Sequence, residues 1–121
     1  SAYPQGVTRA MVANFAGGGA AASVLCRRAR VPLHVVDVGV ISGERDSSAP
    51  DPKVVDGVRL SVAPRAGLAG DLRTEDAMDE AAFDAAWDAG AQAVNELEAD
   101  VKVIIFGDMG IGNTTPAAAV S

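Results

Sequence analysis

Cysteine and histidine are almost absent from this chain, which carries one of each, Cys26 and His34, among its 121 residues. A single cysteine excludes an internal disulfide and is typical of a reducing compartment, so we expect a cytoplasmic location. With so few soft or imidazole ligands, and no motif around either, the sequence lacks the cluster that a zinc site needs. We predict no metal and no cofactor, and we interpret His34 as a structural residue rather than a base.

An excess of positive charge is also missing, because 10 Lys and Arg oppose 16 Asp and Glu and leave a net charge of -6. This balance argues against a nucleic-acid partner and against an anionic membrane surface. No apolar run is long enough to cross a membrane, and no stretch has the pattern of a signal peptide. A substrate phosphate would therefore have to be held by local amides, hydroxyls or a cluster of basic groups.

Aromatic side chains are scarce, with 3 Phe, 1 Trp and 1 Tyr, although 49% of the residues are apolar. The core is therefore expected to consist of small residues, mostly Ala and Val. The length suits one modest domain or a piece of one.

Hydrophobic spacing and turn residues predict an alternation of helices and strands. A triple glycine at 17–19 separates the first two helices, and we interpret it as close helix packing rather than ligand contact. The fold class predicted is α/β, a parallel sheet in a Rossmann-like three-layer architecture, present here as a partial domain. The predicted elements are helices at 4–15 and 20–28, a strand at 33–40, an exposed loop at 42–57, a short strand at 58–63, a helix at 79–98, a strand at 101–106 and a helix after Pro116.

The helix at 79–98 has the clearest pattern. Asp79 is predicted to cap its first turn. An apolar stripe at spacings of four and three predicts the face that enters the core, and a glycine within it indicates close approach to a sheet. The stripe consists of Phe83, Trp87, Gly90, Val94 and Leu97.

The last stretch predicts a strand, a glycine-rich turn and a helix. Residues 101–106 read VKVIIF, the turn covers 107–113, and Thr115 with Pro116 has the signature of a helix N-terminus. Glycines let several backbone N–H groups converge, and a helix start adds further donors, which together suit a phosphate or carboxylate. The alternative is a tight turn with no ligand, and the spacing matches neither a dinucleotide fingerprint nor a nucleoside-triphosphate loop.

Asp37 falls near the carboxyl end of the strand at 33–40, where open α/β sheets gather their ligands. Two interpretations stay open for it. The carboxylate either binds a ribose hydroxyl of a substrate or caps the turn that follows the strand.

Three segments carry a resemblance to a known family. GDMGIGNTTPAAA, residues 107–119, resembles the GEMGIGNTT segment of the nicotinate-nucleotide–dimethylbenzimidazole phosphoribosyltransferases. Residues 1–25, SAYPQGVTRAMVANFAGGGAAASVL, resemble that family's SAYPxxVTxxMVxNFxxGGAAxxVL, and VDVGV at 36–40 resembles its VDVGV strand end. The three segments occur in family order.

The resemblance implies transfer of a 5-phosphoribosyl group from nicotinate mononucleotide to 5,6-dimethylbenzimidazole, as in assembly of the lower ligand of cobalamin. It implies that Asp108, in place of the family's glutamate, is a supporting carboxylate. It places Ser1, Arg9 and Met109 at the benzimidazole pocket. The segment near the phosphoribosyl group consists of Gly110, Gly112, Asn113, Thr114 and Thr115.

The resemblance also implies a longer enzyme that forms a homodimer. Its general-base glutamate has no counterpart among these residues, so we expect the chain alone to be inactive, as part of the α/β nucleotide-binding core of a longer phosphoribosyltransferase. Two other classes stay open: a non-catalytic domain that binds a nucleotide or anion, and an oligomerisation module with unsatisfied sheet edges.

Overall fold

The computed structural model describes residues 4, 6–40, 53–63 and 70–121. In this part of the chain a small parallel sheet lies with helices, so the α/β class is confirmed. The elements, in chain order, are α1 Gly6–Ala16, α2 Ala21–Ala29, β1 Leu33–Asp37, β2 Val58–Val62, α3 Glu80–Asn95 and α4 Thr114–Val120.

The triple glycine separates α1 from α2, as predicted. Gly18 is buried and has a φ of +78°, a conformation that side chains rarely adopt. A methyl group there would stand 2.8 Å from the Arg27 guanidinium and 3.0 Å from Val55. Gly18 is thus closely packed against Arg27 and Val55, which agrees with the packing interpretation.

The most deeply buried side chains are small and lie at this junction. Ala16 and Ala20 are 0% and 4% exposed, and Ser23 is 2% exposed. The Ser23 hydroxyl donates to the carbonyl of Phe15 at 2.9 Å, so its burial leaves no donor unpaired. The prediction of a core made of small residues holds here.

β1 and β2 pair in parallel, with a register that runs from Leu33 opposite Val58 to Asp37 opposite Val62. The first two of the three predicted strands, at 33–40 and 58–63, are present, but β1 ends at Asp37 rather than at residue 40. The Asp37 carboxylate accepts from the backbone amides of Gly39 at 3.0 Å and Val40 at 2.8 Å, and these amides are thereby turned away from a strand ladder.

The predicted exposed loop at 42–57 is only partly described, because residues 41–52 lie outside the described ranges. Lys53, Val54, Asp56 and Gly57 are exposed, and Val55 is half-buried. The Val55 amide donates to the carbonyl of Ala16 at 3.0 Å, which ties this segment to the end of α1.

α3 begins where the sequence predicts, since the Asp79 carboxylate accepts from the Ala82 amide at 2.8 Å. The predicted core face is wrong. Phe83 and Trp87 are 53% and 69% exposed, with ring centroids 6.2 Å apart. Among the described residues, no atom from outside the local helix backbone lies within 4 Å of a methyl group built on Gly90, so the predicted close approach is not found.

A second face of α3 is the more buried one, and it is made of alanine. The spacing of these residues also follows helical periodicity, and short side chains let a helix axis come near a sheet. The helix therefore has two apolar faces. The face with the larger side chains was predicted to be buried, but the alanine face is the more buried one. The half-buried residues of α3 are Ala82, Ala85, Ala86, Ala89 and Ala93.

The predicted strand at 101–106 is wrong in this structure. The segment has no strand partner among the described residues, and Val103, Ile105 and Phe106 are 77%, 88% and 81% exposed. An apolar, β-branched run favours a strand. A strand in a sheet also needs backbone hydrogen bonds to a neighbouring strand. The strand that the sequence predicts after α3 is therefore absent from the described sheet.

α4 follows the glycine-rich turn, as predicted, but begins earlier. Asn113 rather than Thr115 occupies the N-cap position, and its side chain makes no capping hydrogen bond. Pro116 falls in the first turn, where its missing N–H would have had no helical partner. None of the described helices has the length and hydropathy that crossing a membrane requires.

Candidate functional site

The glycine-rich turn at 107–113 brings two polar side chains together. The Asn113 side-chain amide donates to Oδ1 of Asp108 at 2.9 Å, across five residues of turn. Asp108 is exposed and Asn113 is half-buried. The carboxylate therefore faces solvent and has one side-chain hydrogen-bond partner within the turn.

Two backbone amides of the turn are used inside it. The amide of Asn113 donates to the carbonyl of Gly110 at 3.2 Å, and the amide of Thr115 donates to the carbonyl of Gly112 at 3.1 Å. Gly112 has a φ of +92°, which a side chain would strain. The turn accordingly resembles a closed loop more than the cradle of converging amides that the sequence predicts.

Asp37 serves the second of the two roles left open for it. One carboxylate oxygen accepts from two consecutive turn amides, and the Asp37 carbonyl accepts from the Ala63 amide at 2.8 Å. Among the described residues, no hydrogen bond or ion pair joins Asp37 to the glycine-rich turn. Capping of the strand end therefore accounts for this residue.

The other predicted site residues are placed as follows. Ser1 lies outside the described ranges. Arg9 lies on the exposed surface of α1, with no hydrogen bond to the turn among described residues. Met109 and Gly110 are half-buried, whereas Gly112, Thr114 and Thr115 are exposed. The structure thus brings Asp108 and Asn113 together, and among the described residues neither Arg9 nor Asp37 is hydrogen-bonded to them.

Two cavities in the described part of the chain are lined by residues outside the glycine-rich turn. One, of about 290 Å³, lies at the end of α2 against the start of β2, beside Cys26, Arg30 and Asp56. The other, of about 500 Å³, lies between the sheet and α3. Asp108 and Gly112 of the turn are exposed, whereas Met109, Gly110 and Asn113 are half-buried.

The larger cavity contains a pair that the sequence reasoning did not find. His34 Nε2 and Ser61 Oγ are 2.8 Å apart across the two strands. Nearby, Arg59 and Glu96 form an ion pair at 3.1 Å that joins β2 to the end of α3. The available signal was the alternation in VRLSV, which puts Arg59 and Ser61 on one face of β2.

A protein-family model described as phosphoribosyltransferase matches residues 1–121, the whole chain. The chain belongs to this phosphoribosyltransferase family. The assignment agrees with the resemblance carried by residues 1–25, 36–40 and 107–119.

Curated relatives of this phosphoribosyltransferase chain bear the name nicotinate-nucleotide–dimethylbenzimidazole phosphoribosyltransferase. One from Bradyrhizobium sp. strain BTAi1 is 44% identical over 123 residues and is matched by 100% of this chain, which covers 32% of the relative. One from Mesorhizobium japonicum is 44% identical over 121 residues, with 100% of this chain and 28% of the relative. One from Mycobacterium marinum is 41% identical over 121 residues, with 99% of this chain and 31% of the relative.

The chain therefore spans about a third of the length of the curated relatives that it matches, 32% in the first of them. No solved structure matches it.

Proposed function

We propose that this chain is part of an enzyme that transfers the 5-phosphoribosyl group of nicotinate mononucleotide to 5,6-dimethylbenzimidazole. The products would be nicotinate and α-ribazole 5′-phosphate. The observation that carries the proposal is the match of the entire chain to the phosphoribosyltransferase family, with relatives of that name 41–44% identical to it.

The proposed reaction is a displacement at the C1′ carbon of the ribose. A benzimidazole nitrogen forms the new bond to C1′ while the bond from C1′ to the pyridinium nitrogen breaks. The pyridinium nitrogen takes the bonding electron pair and loses its positive charge. Because this neutralises the ring nitrogen, the C1′–N bond breaks more easily than it would to an uncharged nitrogen. Attack from the opposite face converts a β-nucleotide into an α-product.

The acceptor must also lose the proton of its other ring nitrogen, so a carboxylate near that nitrogen favours the reaction. Asp108 is the supporting carboxylate in this proposal. It is exposed and accepts a hydrogen bond from the Asn113 side-chain amide at 2.9 Å. The resemblance assigns the general base itself to a glutamate that has no counterpart here.

The remaining substrate contacts are proposed from the resemblance. Ser1, Arg9 and Met109 belong to the acceptor pocket, and the shorter reach of Asp108 and the charge of Arg9 bear on which base is accepted. Asp37 is retained as a ribose contact only through the oxygen that does not hold the turn. The segment near the phosphoribosyl group consists of Gly110, Gly112, Asn113, Thr114 and Thr115, and we assign direct contacts with that group to Gly110, Gly112, Thr114 and Thr115.

Several wider features are part of the same proposal. In the longer protein we place this chain in the α/β nucleotide-binding core, with a Rossmann-like three-layer sheet, an exposed loop at 42–57 and a homodimeric assembly. The reaction would take place in the cytoplasm. The single cysteine supports the reducing compartment, and the parallel pairing of β1 and β2 supports the sheet type.

Titration of the chain with nicotinate mononucleotide and with 5,6-dimethylbenzimidazole, followed by calorimetry, tests the proposal. We expect saturable binding of at least one ligand by wild type and weaker binding of dimethylbenzimidazole by Asp108→Ala. Chromatography of a mixture with both substrates is expected to show no α-ribazole 5′-phosphate, since the base is not among these residues. Absence of binding by wild type would count against the proposal, and turnover would count against the missing base.

An oligomerisation module is the second candidate, and one observation favours it. Trp87, Ile105 and Phe106 are 69%, 88% and 81% exposed, and exposed apolar side chains of this size favour association with a second copy. Light scattering of the purified chain measures the molar mass directly. A dimer that neither substrate changes and that binds neither substrate would favour this candidate.

A further inference from the structure

The hydrogen bond between Asp108 and Asn113 spans the turn and links its two ends. The donor is the Asn113 side-chain nitrogen and the acceptor is Oδ1 of the carboxylate, 2.9 Å apart. A hydrogen bond from an amide to a charged carboxylate is stronger than one between neutral groups. It therefore restricts the rotation of the carboxylate, although both groups lie near solvent.

Gly110 is the residue that makes this contact sterically allowed. A methyl group built at Gly110 would collide with the Asn113 side-chain amide. At Gly107 and Gly112, in contrast, nothing lies within 4 Å of such a methyl group. Gly110 thus leaves room for the Asn113 side-chain amide, whereas Gly112 allows a backbone φ of +92°.

We propose that Asn113 is a positioning residue that acts on the substrate through Asp108 and not a direct ligand of the phosphoribosyl group. The inference rests on the proposed function. The amide holds one carboxylate oxygen, so the orientation of the second oxygen toward the acceptor nitrogen is set before the acceptor binds. Orientation that is fixed in advance reduces the entropy lost on binding.

The length of the side chain agrees with this role. Asp108 is one methylene shorter than the glutamate of the family segment that it resembles, so its carboxylate stays close to the turn. At that reach the Asn113 amide meets it directly at 2.9 Å. An amide committed in this way has one N–H fewer to offer to a phosphate.

The hydrogen bond is tested first without any ligand. In a ¹H–¹⁵N spectrum, the two side-chain N–H signals of Asn113 are identified by their loss in Asn113→Ala. We expect Asp108→Ala to shift these signals and to speed their exchange with water. Signals that stay in place in Asp108→Ala would contradict the hydrogen bond. The matched control is Gln92, whose amide donates to Glu96 at 2.9 Å on α3 and should not respond.

The positioning role is tested by affinity for 5,6-dimethylbenzimidazole. Asn113→Asp keeps the side-chain shape and removes the donor, and we expect affinity for the base to fall by about three- to tenfold. Affinity for nicotinate mononucleotide should fall less than affinity for the base. In the Asp108→Ala background, Asn113→Asp should cause little further loss of affinity for the base, because each substitution removes the same hydrogen bond. Gln92→Glu is the control and should bind both ligands as wild type does.

An exchange of the two side chains separates positioning from a merely structural role. The double variant Asp108→Asn with Asn113→Asp restores an amide–carboxylate hydrogen bond but moves the charge to position 113. We expect the shifted amide signal to return, now from position 108, while affinity for the base stays low. Full recovery of affinity would overturn the positioning role.

The remaining outcomes separate the two proposals. Loss of nicotinate mononucleotide binding in Asn113→Asp, with base binding unchanged, would overturn the positioning role and return Asn113 to the phosphate. A wild-type chain that binds neither ligand, with the hydrogen bond present in the spectra, would instead contradict the proposed function.

Discussion

His34 Nε2 and Ser61 Oγ lie 2.8 Å apart and join the two parallel strands through their side chains. Neither residue is fully buried, and both line the cavity between the sheet and α3. Parallel strands need a long crossover and gain little from local contacts, so a side-chain link between them helps to fix the register. This link between the strands supports the interpretation of His34 as a structural residue.

Ser61→Ala should lower the free energy of unfolding by about 1 kcal/mol, because the partly buried imidazole loses its partner. Urea denaturation followed by circular dichroism measures the change. His34→Leu in the Ser61→Ala background should cost less than in wild type, since the pair is already broken. Thr74→Ala is the control, as its exposed hydroxyl donates to the Asp71 carbonyl at 3.2 Å, and it should be near neutral. Strictly additive losses would contradict the pairing.

Two glycines should respond to alanine in opposite directions. At Gly18, with a φ of +78° and Arg27 2.8 Å from the built methyl group, we expect Gly18→Ala to destabilise by about 1–3 kcal/mol. At Gly90, inside exposed α3 with nothing within 4 Å, Gly90→Ala should stabilise by about 0.5–1 kcal/mol. Thermal melts of both variants test this. Destabilisation by Gly90→Ala would instead support the close approach of Gly90 to a sheet that the sequence predicts.

Local chemistry in the sequence predicted more of the fold than long-range packing did. Asp79 as a helix cap, the break at Gly18 and the parallel-type β1 depend on neighbouring residues or on an apolar run, and all are present. The side of α3 that packs depends on what another element offers. Trp87 has the larger side chain, but the alanine face of α3 is the one turned toward the sheet, across the cavity of about 500 Å³.

The candidate site was predictable only in its parts. GDMGIGN indicated a glycine-rich turn before a helix, and both exist. The sequence did not indicate that the Asn113 amide folds back onto Asp108, because Asx side chains can cap, turn or bind ligand with equal ease. Nor did it indicate the exposure of residues 101–106. An apolar run predicts burial, but it does not show which other element packs against it.

The apolar segment at 101–106 provides a further prediction. Ile105 and Phe106 are 88% and 81% exposed, so Ile105→Ser and Phe106→Ser should leave the free energy of unfolding within about 0.5 kcal/mol of wild type. Self-association and precipitation should decrease, as measured by light scattering over a range of concentrations. Val35→Ala, in half-buried β1, is the contrasting variant and should lower stability. A large loss of stability in Ile105→Ser would indicate that the segment is covered in solution.

The ion pair of Asp71 and Arg73 predicts a pH dependence. The Arg73 Nη2 atom donates to Oδ2 of Asp71 at 2.6 Å, and its Nε also donates to the same carboxylate. Side-chain hydrogen bonds from Arg73, followed by its backbone amide, lower the pKa of Asp71 below the ordinary value. A lowered pKa means that the interaction is complete above the unfolded-state pKa and is lost as the pH falls through the folded-state pKa.

Arg73→Met should therefore raise the pKa of Asp71 part of the way, because the backbone amide of residue 73 still donates to Oδ1 at 3.0 Å. A carbon-detected NMR titration of the Asp71 carboxyl through the acidic range measures the midpoint. Arg73→Lys keeps the charge and loses the planar fork, so its midpoint should lie between wild type and Arg73→Met. Global stability should hardly change, since both groups are on the surface and such pairs contribute little. An Asp71 midpoint that does not move in Arg73→Met would show that the ion pair is not maintained in solution.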